Sequence, residues 1–391
     1  MIVTRTQNLF LMLLYICLFS AVSYPAEPKP TVLRISTFNI EDVRTQDLDT
    51  AEDPRLKQIA AIIQRIRPNV ILLSEMTARI GQEESNADRF VRLYLSVPQA
   101  DGLKPITFNT FTPYTNTGFH SGFDLDKSGF IDASPPEQTK VQTDAGRVYG
   151  NDCYGFGTFP GQYGMALLVD PRLNIQEENI RSFQNFLWKD LEDHSAPMNP
   201  DRTPWYTPDE WEVFRLASKT FADIPITLPN GQVLHALISH PTPPAFDGPE
   251  RRNKLRNLDE IKLIRRYIDN DPKLYDDKAQ QGGLAEDELF VILGDLNADP
   301  TDGSSLDRVI ITQLLTSSKI ADDVFPSSEI KVKGLDSTDT AHFRLRVDYV
   351  LPSDDIRILN SGVWRLPEAD QEFPSDHFPV WIEALIPPSS D

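Results

Sequence analysis

The sequence predicts an α/β fold in which strands and helices alternate. Three observations support this. Short apolar runs of strand length recur along the chain and stop abruptly in polar residues. Two segments carry the apolar periodicity of amphipathic helices. Neither a GxGxxG nor a GxxxxGK[ST] phosphate loop is present. With 391 residues and 40% hydrophobic content, the chain can bury a large core, as one elaborated domain or two.

Residues 31–38 read as the first strand. Asp53 and Pro54 then open a helix as N-cap and first helical residue. Leu56, Ile59, Ile63 and Ile66 form its apolar stripe, and Pro68 ends it. Residues 70–73 are the next strand, finishing at Ser74 and Glu75. Further strands are expected over 164–169, 217–228, 233–239, 290–293, 346–351 and 377–385, with Asn230-Gly231 as a hairpin signal. A second helix is expected over 251–268, with Leu255, Leu258, Ile261, Ile264 and Ile268 facing inward. Turn-rich segments at about 77–160 and 182–212 read as ordered insertions, long enough to be functional rather than mere connections. There is no internal repeat or low-complexity tract.

The N-terminus has one early charge, Arg5, then an apolar run from Leu9 to Phe19 and a small-residue signature at Ala21-Val22-Ser23. That run is shorter than the roughly 20 residues that span a bilayer, so residues 1–23 are expected to be a cleaved signal peptide. The residues before Cys17, Tyr15 and Ile16, are too bulky for a lipoprotein processing site. Residues 24–391 are then a single secreted domain, without a transmembrane segment and with Cys153 as the only cysteine. The net charge of −20 becomes −21 on cleavage, because Arg5 is lost and no acid. Such acidity is a poor footprint for tight nucleic-acid binding, although a nuclease that holds its substrate briefly is compatible with it.

The strand ends share a design. Asn39 follows the first strand, and Ser74 and Glu75 the next. Ser239 and His240 close a third; Asp295 and Asn297 close a fourth. Asp348 lies in another, and Asp376 and His377 precede the last. Each alone reads as a turn or cap residue, but six such sites with mostly oxygen ligands and two histidines point to a function carried at one edge of a sheet.

In order and spacing these segments resemble the endonuclease/exonuclease/phosphatase superfamily, which includes deoxyribonuclease I. The match runs FNI (38–40), SEM (74–76), SHP (239–241), GDLN (294–297), RVDYV (346–350) and SDHFPV (375–380), across about residues 31–385. The resemblance implies a four-layer α/β/β/α sandwich of two packed β-sheets with outer helices, and hydrolysis of phosphate esters. The two insertions have no clear counterpart in the minimal family. Hard oxygen ligands without cysteine suit Mg²⁺ or Mn²⁺. Glu75 leads as ligand, and the resemblance places Asn39 and Asp376 near the same ion. Asp295 is expected to orient and deprotonate the attacking water, with His377 as the alternative base. Asn297 would hydrogen-bond the phosphate or the nucleophile, and Asp348 would hold His377 in one tautomer. His240 would stabilise phosphoryl oxygens or protonate the leaving group.

The family's Arg or Tyr beyond the second strand has no clear equivalent. Gln162 and Tyr163 read either as a cleft border or as tight-turn packing. Arg256 and Asn257 read as a solvated helix face, with phosphate contact as the alternative. Alternation turns His235 away from His240, and His120, His194 and His342 read as structural or surface residues. Within the first insertion, Asp124, Asp126, Ser128, Gly129 and Asp132 fall on positions one, three, five, six and nine of an EF-hand-type loop, with the Phe130 carbonyl at seven. Position twelve is Pro135 rather than Glu, so a Ca²⁺ loop and an acidic turn stand as equal readings.

Together these features lead us to expect a secreted monomer that hydrolyses phosphodiesters or phosphomonoesters with a divalent metal. The alternatives are a secreted DNA or RNA nuclease and a catalytically inactive extracellular binding module.

Overall fold

The computed structural model describes residues 30–79, 81–321, 325–366 and 372–388. The expected signal peptide and Cys17 lie outside the described residues. The strands, in chain order, are β1 (Thr31–Val43), β2 (Val70–Met76), β3 (Asn109–Phe111), β4 (Met165–Val169), β5 (Asn174–Ile175), β6 (Arg181–Ser182), β7 (Phe221–Thr227), β8 (Val233–Ser239), β9 (Leu289–Asp295), β10 (Asp348–Pro352), β11 (Arg357–Val363) and β12 (Val380–Ile386). One sheet has the order β11-β12-β1-β2-β4-β3; the other runs β10-β9-β8-β7-β5, with β6 also paired to β7. Both are mixed. Each contains one parallel pair, β1 with β2 and β8 with β9, among antiparallel neighbours.

Helices α1 (Pro54–Ile66), α2 (Asn86–Phe90), α3 (Asp144–Asn151), α4 (Pro208–Val213) and α5 (Arg252–Ile268) complete the frame. The two long ones, α1 and α5, are the crossovers of the two parallel pairs, which need a connection of this length. Asp53 caps α1 by accepting from the Leu56 amide at 3.0 Å, and Arg67 ends it in the left-handed conformation just before Pro68.

Alternation along the strands divides the apolar residues among three cores. Leu72 of β2, Ile238 of β8 and Leu293 of β9 point between the sheets. Ile71 and Leu73 point to the opposite side, against Leu56, Ile59 and Ile63 of α1. Phe290 and Ile292 pack against Leu258, Ile261 and Ile264 of α5. Three cores separate four layers, so the protein is an α/β/β/α sandwich. Phe183, Phe186 and Trp188 from the second insertion complete the core over α5.

Several boundaries differ from expectation. The first strand runs on to Val43 through a register shift between Asn39 and Val43, where Glu41 and Asp42 take positive φ. Asn39 therefore sits at a bulge, a device that re-aims a side chain. The strand expected from 217 begins at Phe221, and the last begins at Val380 rather than at 377. β11 has no apolar alternation to announce it, and much of it is exposed.

Leu293 is fully buried between the sheets. Leu293→Ala is expected to lower stability by about 2–5 kcal/mol. Urea unfolding with an unchanged denaturant slope would confirm a packing loss.

Candidate active site

The sheets bring six chain segments to one edge. Parallel pairing places the ends of β1 and β2 together in one sheet, and those of β8 and β9 in the other. Asp348 opens β10 directly opposite Asp295 in the antiparallel register. His377 lies just before β12, where the Ser375 hydroxyl donates to the Asn39 carbonyl at 2.7 Å. Gly294 makes the close approach possible, because a Cβ there would lie 1.8 Å from the Ser239 carbonyl oxygen. Glu75 and Asn297 hold left-handed backbone at φ 69° and 53°, unusual for residues with side chains and characteristic of functional sites.

All eight expected residues meet here. The Asn39 amide donates to Glu75 Oε1 and Asp295 Oδ2, both at 3.1 Å, and its carbonyl oxygen accepts from the Glu41 amide. As oriented, Asn39 shows N–H rather than oxygen to the cleft. Asp295 Oδ2 also lies 3.5 Å from His240 Nε2 and 3.7 Å from His377 Nε2. The Asn297 backbone amide donates to Asp295 Oδ1 at 2.9 Å, and its side-chain amide donates to the Pro241 carbonyl. His377 Nδ1 meets Asp348 Oδ2 at 2.8 Å, and Nε2 faces Asp376 at 3.8 Å. Asp376 is half-exposed at the mouth.

Burial and charge drive these groups apart. Desolvation raises Asp295 to about 7, with Asp348 adding repulsion and His377 opposing it. Desolvation likewise raises Glu75, while the Asn39 hydrogen bond and then His377 pull the other way. Burial would depress both histidines. His240 falls well below the ordinary value because Lys219 and His377 reinforce the effect. For His377, the Asp348, Asp295 and Asp376 carboxylates outweigh burial and raise it well above.

Lys219 was not foreseen from the sequence. It precedes β7 and is buried, and burial lowers its ammonium while the charges of Glu260, Glu75 and Asp295 oppose that shift. Among the described residues this cation has no ion-pair or hydrogen-bond partner. A lysine after an apolar-polar mixture such as Leu216-Ala217-Ser218 gives no sign of its depth.

Other expectations are corrected. Arg256 and Asn257 are buried rather than on a solvated helix face. Arg256 donates to the Leu216, Tyr154 and Arg215 carbonyls, and Asn257 to those of Thr242 and Leu296, so neither is free for phosphate. Gln162 packs in its turn, accepting from Thr158, while its amide donates to Asp42 at 3.1 Å. Gln162, Tyr163, Asp42 and Arg44 line a pocket together with Glu137 and Thr139. The Asp42 amide donates to Glu75 Oε2, which ties this pocket to the site. His342 packs on Phe378, and His194 on Trp211.

The sequence model described as "Endonuclease/Exonuclease/phosphatase family" matches residues 37–377. Comparison with curated protein sequences gives no match. Similar solved structures include an endonuclease/exonuclease/phosphatase from Beutenbergia cavernae, 15% identical, covering 91% of this chain and 72% of that one, with a TM-score of 0.47. The human Nocturnin catalytic domain with bound sulfate is 12% identical, with coverages of 93% and 100% and a TM-score of 0.47. A mannosyl-6-phosphatase from Bacteroides thetaiotaomicron is 12% identical, with coverages of 90% and 99% and a TM-score of 0.44.

His235 faces away from the site, paired with Asp223 at 2.8 Å and 3.5 Å from Glu288. Burial would lower its imidazole, but the Asp223 hydrogen bond and charge, followed by Glu288, raise it. A raised folded pKa stabilises fully below the ordinary value of about 6.5, and the contribution is lost as pH rises through the folded value. His235→Gln is therefore expected to lower the melting temperature more at about pH 6 than at about pH 9. Equal losses at the two pH values would show that the charge contributes nothing.

Proposed function

From the premise that the chain belongs to the endonuclease/exonuclease/phosphatase family, we propose that it is a secreted, divalent-metal-dependent phosphohydrolase. Water would attack the phosphorus of a phosphodiester or phosphomonoester. The observation that carries the reading is the placement of Asp295, which two histidines and Asn39 surround at 3.1–3.7 Å.

Charge favours Asp295 over His377 as the base. A carboxyl raised to about 7 takes a proton efficiently near neutral pH. His377, held as imidazolium by Asp348, has no free lone pair and instead offers Nε2–H to charge developing on phosphoryl oxygen. His240 stays neutral and contributes an N–H. Asn297 is fixed beside Asp295 to position the water or a phosphate oxygen. The attacking oxygen forms its bond to phosphorus as the ester P–O bond breaks, and the water proton passes to Asp295.

The Lys219 ammonium would supply positive charge to a bound phosphate, which fits its lack of a partner among the described residues. Glu75 and Asp376 are hard oxygen donors with no ion pair between Glu75 and any described cation, a set that fits Mg²⁺ or Mn²⁺. Asn39 would join them by turning its amide. Such an ion would polarise the phosphoryl oxygens and offset the charge of the leaving group. Asp295, Asp348 and His377 also hold potential ligand atoms within 4.8 Å of one another, but the Asp348–His377 hydrogen bond occupies Nδ1. Secretion rests on the N-terminal 23 residues. The net charge of −20 places small or lipid esters ahead of long nucleic acids as substrates.

Hydrolysis of a simple chromogenic phosphodiester should stop in chelator and return with Mg²⁺ or Mn²⁺. Asp295→Asn and His377→Gln should each lower kcat by about 10²–10⁴-fold. Turnover that survives chelator or either substitution would discard the mechanism.

Lys219→Met should lower kcat/KM by roughly 10²–10³-fold, the scale of losing one charge-stabilising donor. Stability should hold or rise, because the substitution removes an unpaired buried cation. A destabilised variant with full activity would make Lys219 a purely structural residue.

A further inference from the structure

The first insertion carries a second group of carboxylates, remote in sequence from the catalytic edge. Asp124, Asp126 and Asp152 each hold a carboxylate oxygen within 4.8 Å of the other two. Asp132, expected on the same loop, is not part of this group, and its side chain instead accepts from the Ser134 amide. The new member is Asp152, twenty residues further on.

Asp152 is the unusual one. Its side chain is fully buried, and Oδ1 accepts from the Leu125 amide at 2.7 Å. Oδ2 is buried with no hydrogen-bond partner among the described residues. His120 Nε2 lies 4.0 Å away, beyond hydrogen-bond reach and itself without a hydrogen-bond partner among the described residues. His120 Nδ1 accepts from the Gly122 amide, so Nε2 carries the ring proton and is no rival for a cation.

The protein does little to neutralise this group. The Lys127 ammonium, in the middle of the loop, pairs with Glu210 and donates to the Asp124 main-chain carbonyl at 2.8 Å, not to the three carboxylates. Arg252 acts on Asp126 only at a distance, and its own contacts are the Leu125 carbonyl and Glu250. A buried carboxylate oxygen left bare beside two more carboxylates is destabilising unless something fills the gap.

We propose that Asp124, Asp126 and Asp152 bind a calcium ion, with Asp152 supplying from outside the loop the acid that Pro135 denies it at position twelve. Ser128 and the Phe130 carbonyl, at loop positions five and seven, are further oxygen donors of the kind calcium accepts in its irregular six- to eight-fold shell. Burial and its acidic neighbours raise Asp152 to about 6, which agrees with a carboxylate lacking its counter-ion. The ion would hold the loop to α3, whose C-terminal cap is Asp152. The same insertion reaches the catalytic edge, where the Arg44 guanidinium donates to the Thr139 carbonyl at 2.6 Å and Glu137 and Thr139 line the pocket that holds Asp42.

The test uses the chelator-treated full chain carrying Glu75→Gln, which weakens the catalytic metal site. Calcium titrated by calorimetry should bind to this protein and raise its melting temperature. Adding Asp152→Asn should weaken calcium binding by about tenfold or more and abolish the thermal shift. That substitution removes a buried charge, so the calcium-free protein should melt at the same temperature or higher, which separates lost binding from lost folding. Asp124→Asn provides a second, more exposed variant with the same expected loss. No calcium binding in the Glu75→Gln protein, or unchanged affinity in both added variants, would overturn the proposal and leave a cluster held by a protonated Asp152. Equal stabilisation by magnesium would overturn the assignment to calcium.

Discussion

The two sheets are joined at one edge by polar contacts, and the site depends on that seam. Asn39 of β1 donates across to Asp295 of β9, and His377, beside β12, grips Asp348 of β10. Behind that edge the sheets pack through apolar side chains such as Leu72, Ile238 and Leu293. Packing sets their distance and direction, and these hydrogen bonds set which atoms face each other. The seam also explains why the functional groups come from segments more than three hundred residues apart. Antiparallel pairing of β1 with β12 within one sheet brings the first strand and the last to neighbouring positions.

The same burial that shapes the edge gives chemically alike residues opposite states. His240 and His377 lie on either side of Asp295, yet one is kept neutral and the other charged. The difference lies in the second ring nitrogen. Asp348 occupies it in His377, while in His240 Nδ1 is buried without a hydrogen-bond partner among the described residues. Lys219 adds positive charge near Glu75 and Asp295 and pushes His240 further from protonation. A compact set of groups thus combines a carboxyl raised towards neutrality, a cation and a neutral imidazole without any residue type being special in itself.

Much of the frame was legible because its causes are local. Asp53, Pro54 and the stripe from Leu56 specified α1, and the unbroken apolar run 290–293 specified β9 as a buried strand. The polar residues at the strand ends were legible as a recurring pattern. What escaped the sequence depends on distant segments. Arg256 and Asn257 look solvated on an isolated helix, but Leu216 and Tyr154 come from elsewhere to cover them. Lys219 gains its meaning only from the acids it is buried among, and Asp152 only from the loop folded beside it. The bulge at Asn39 was missed because residues 39–43 read as a strand terminus rather than as a strand that shifts register.

The second insertion shows how an added segment becomes indispensable. Asp259 on α5 is fully buried, and its carboxylate accepts from the Trp188 indole nitrogen at 2.7 Å and from the Ser195 hydroxyl at 3.1 Å, both outside the helix and both in the insertion. Phe183 packs edge-on against Tyr267 of the same helix. Excising residues 182–212 would leave a desolvated carboxylate short of donors and an aromatic face open to water. Helix and insertion therefore complete each other, and the donor that α5 keeps for Asp259 on its own is the Lys262 ammonium at 2.8 Å.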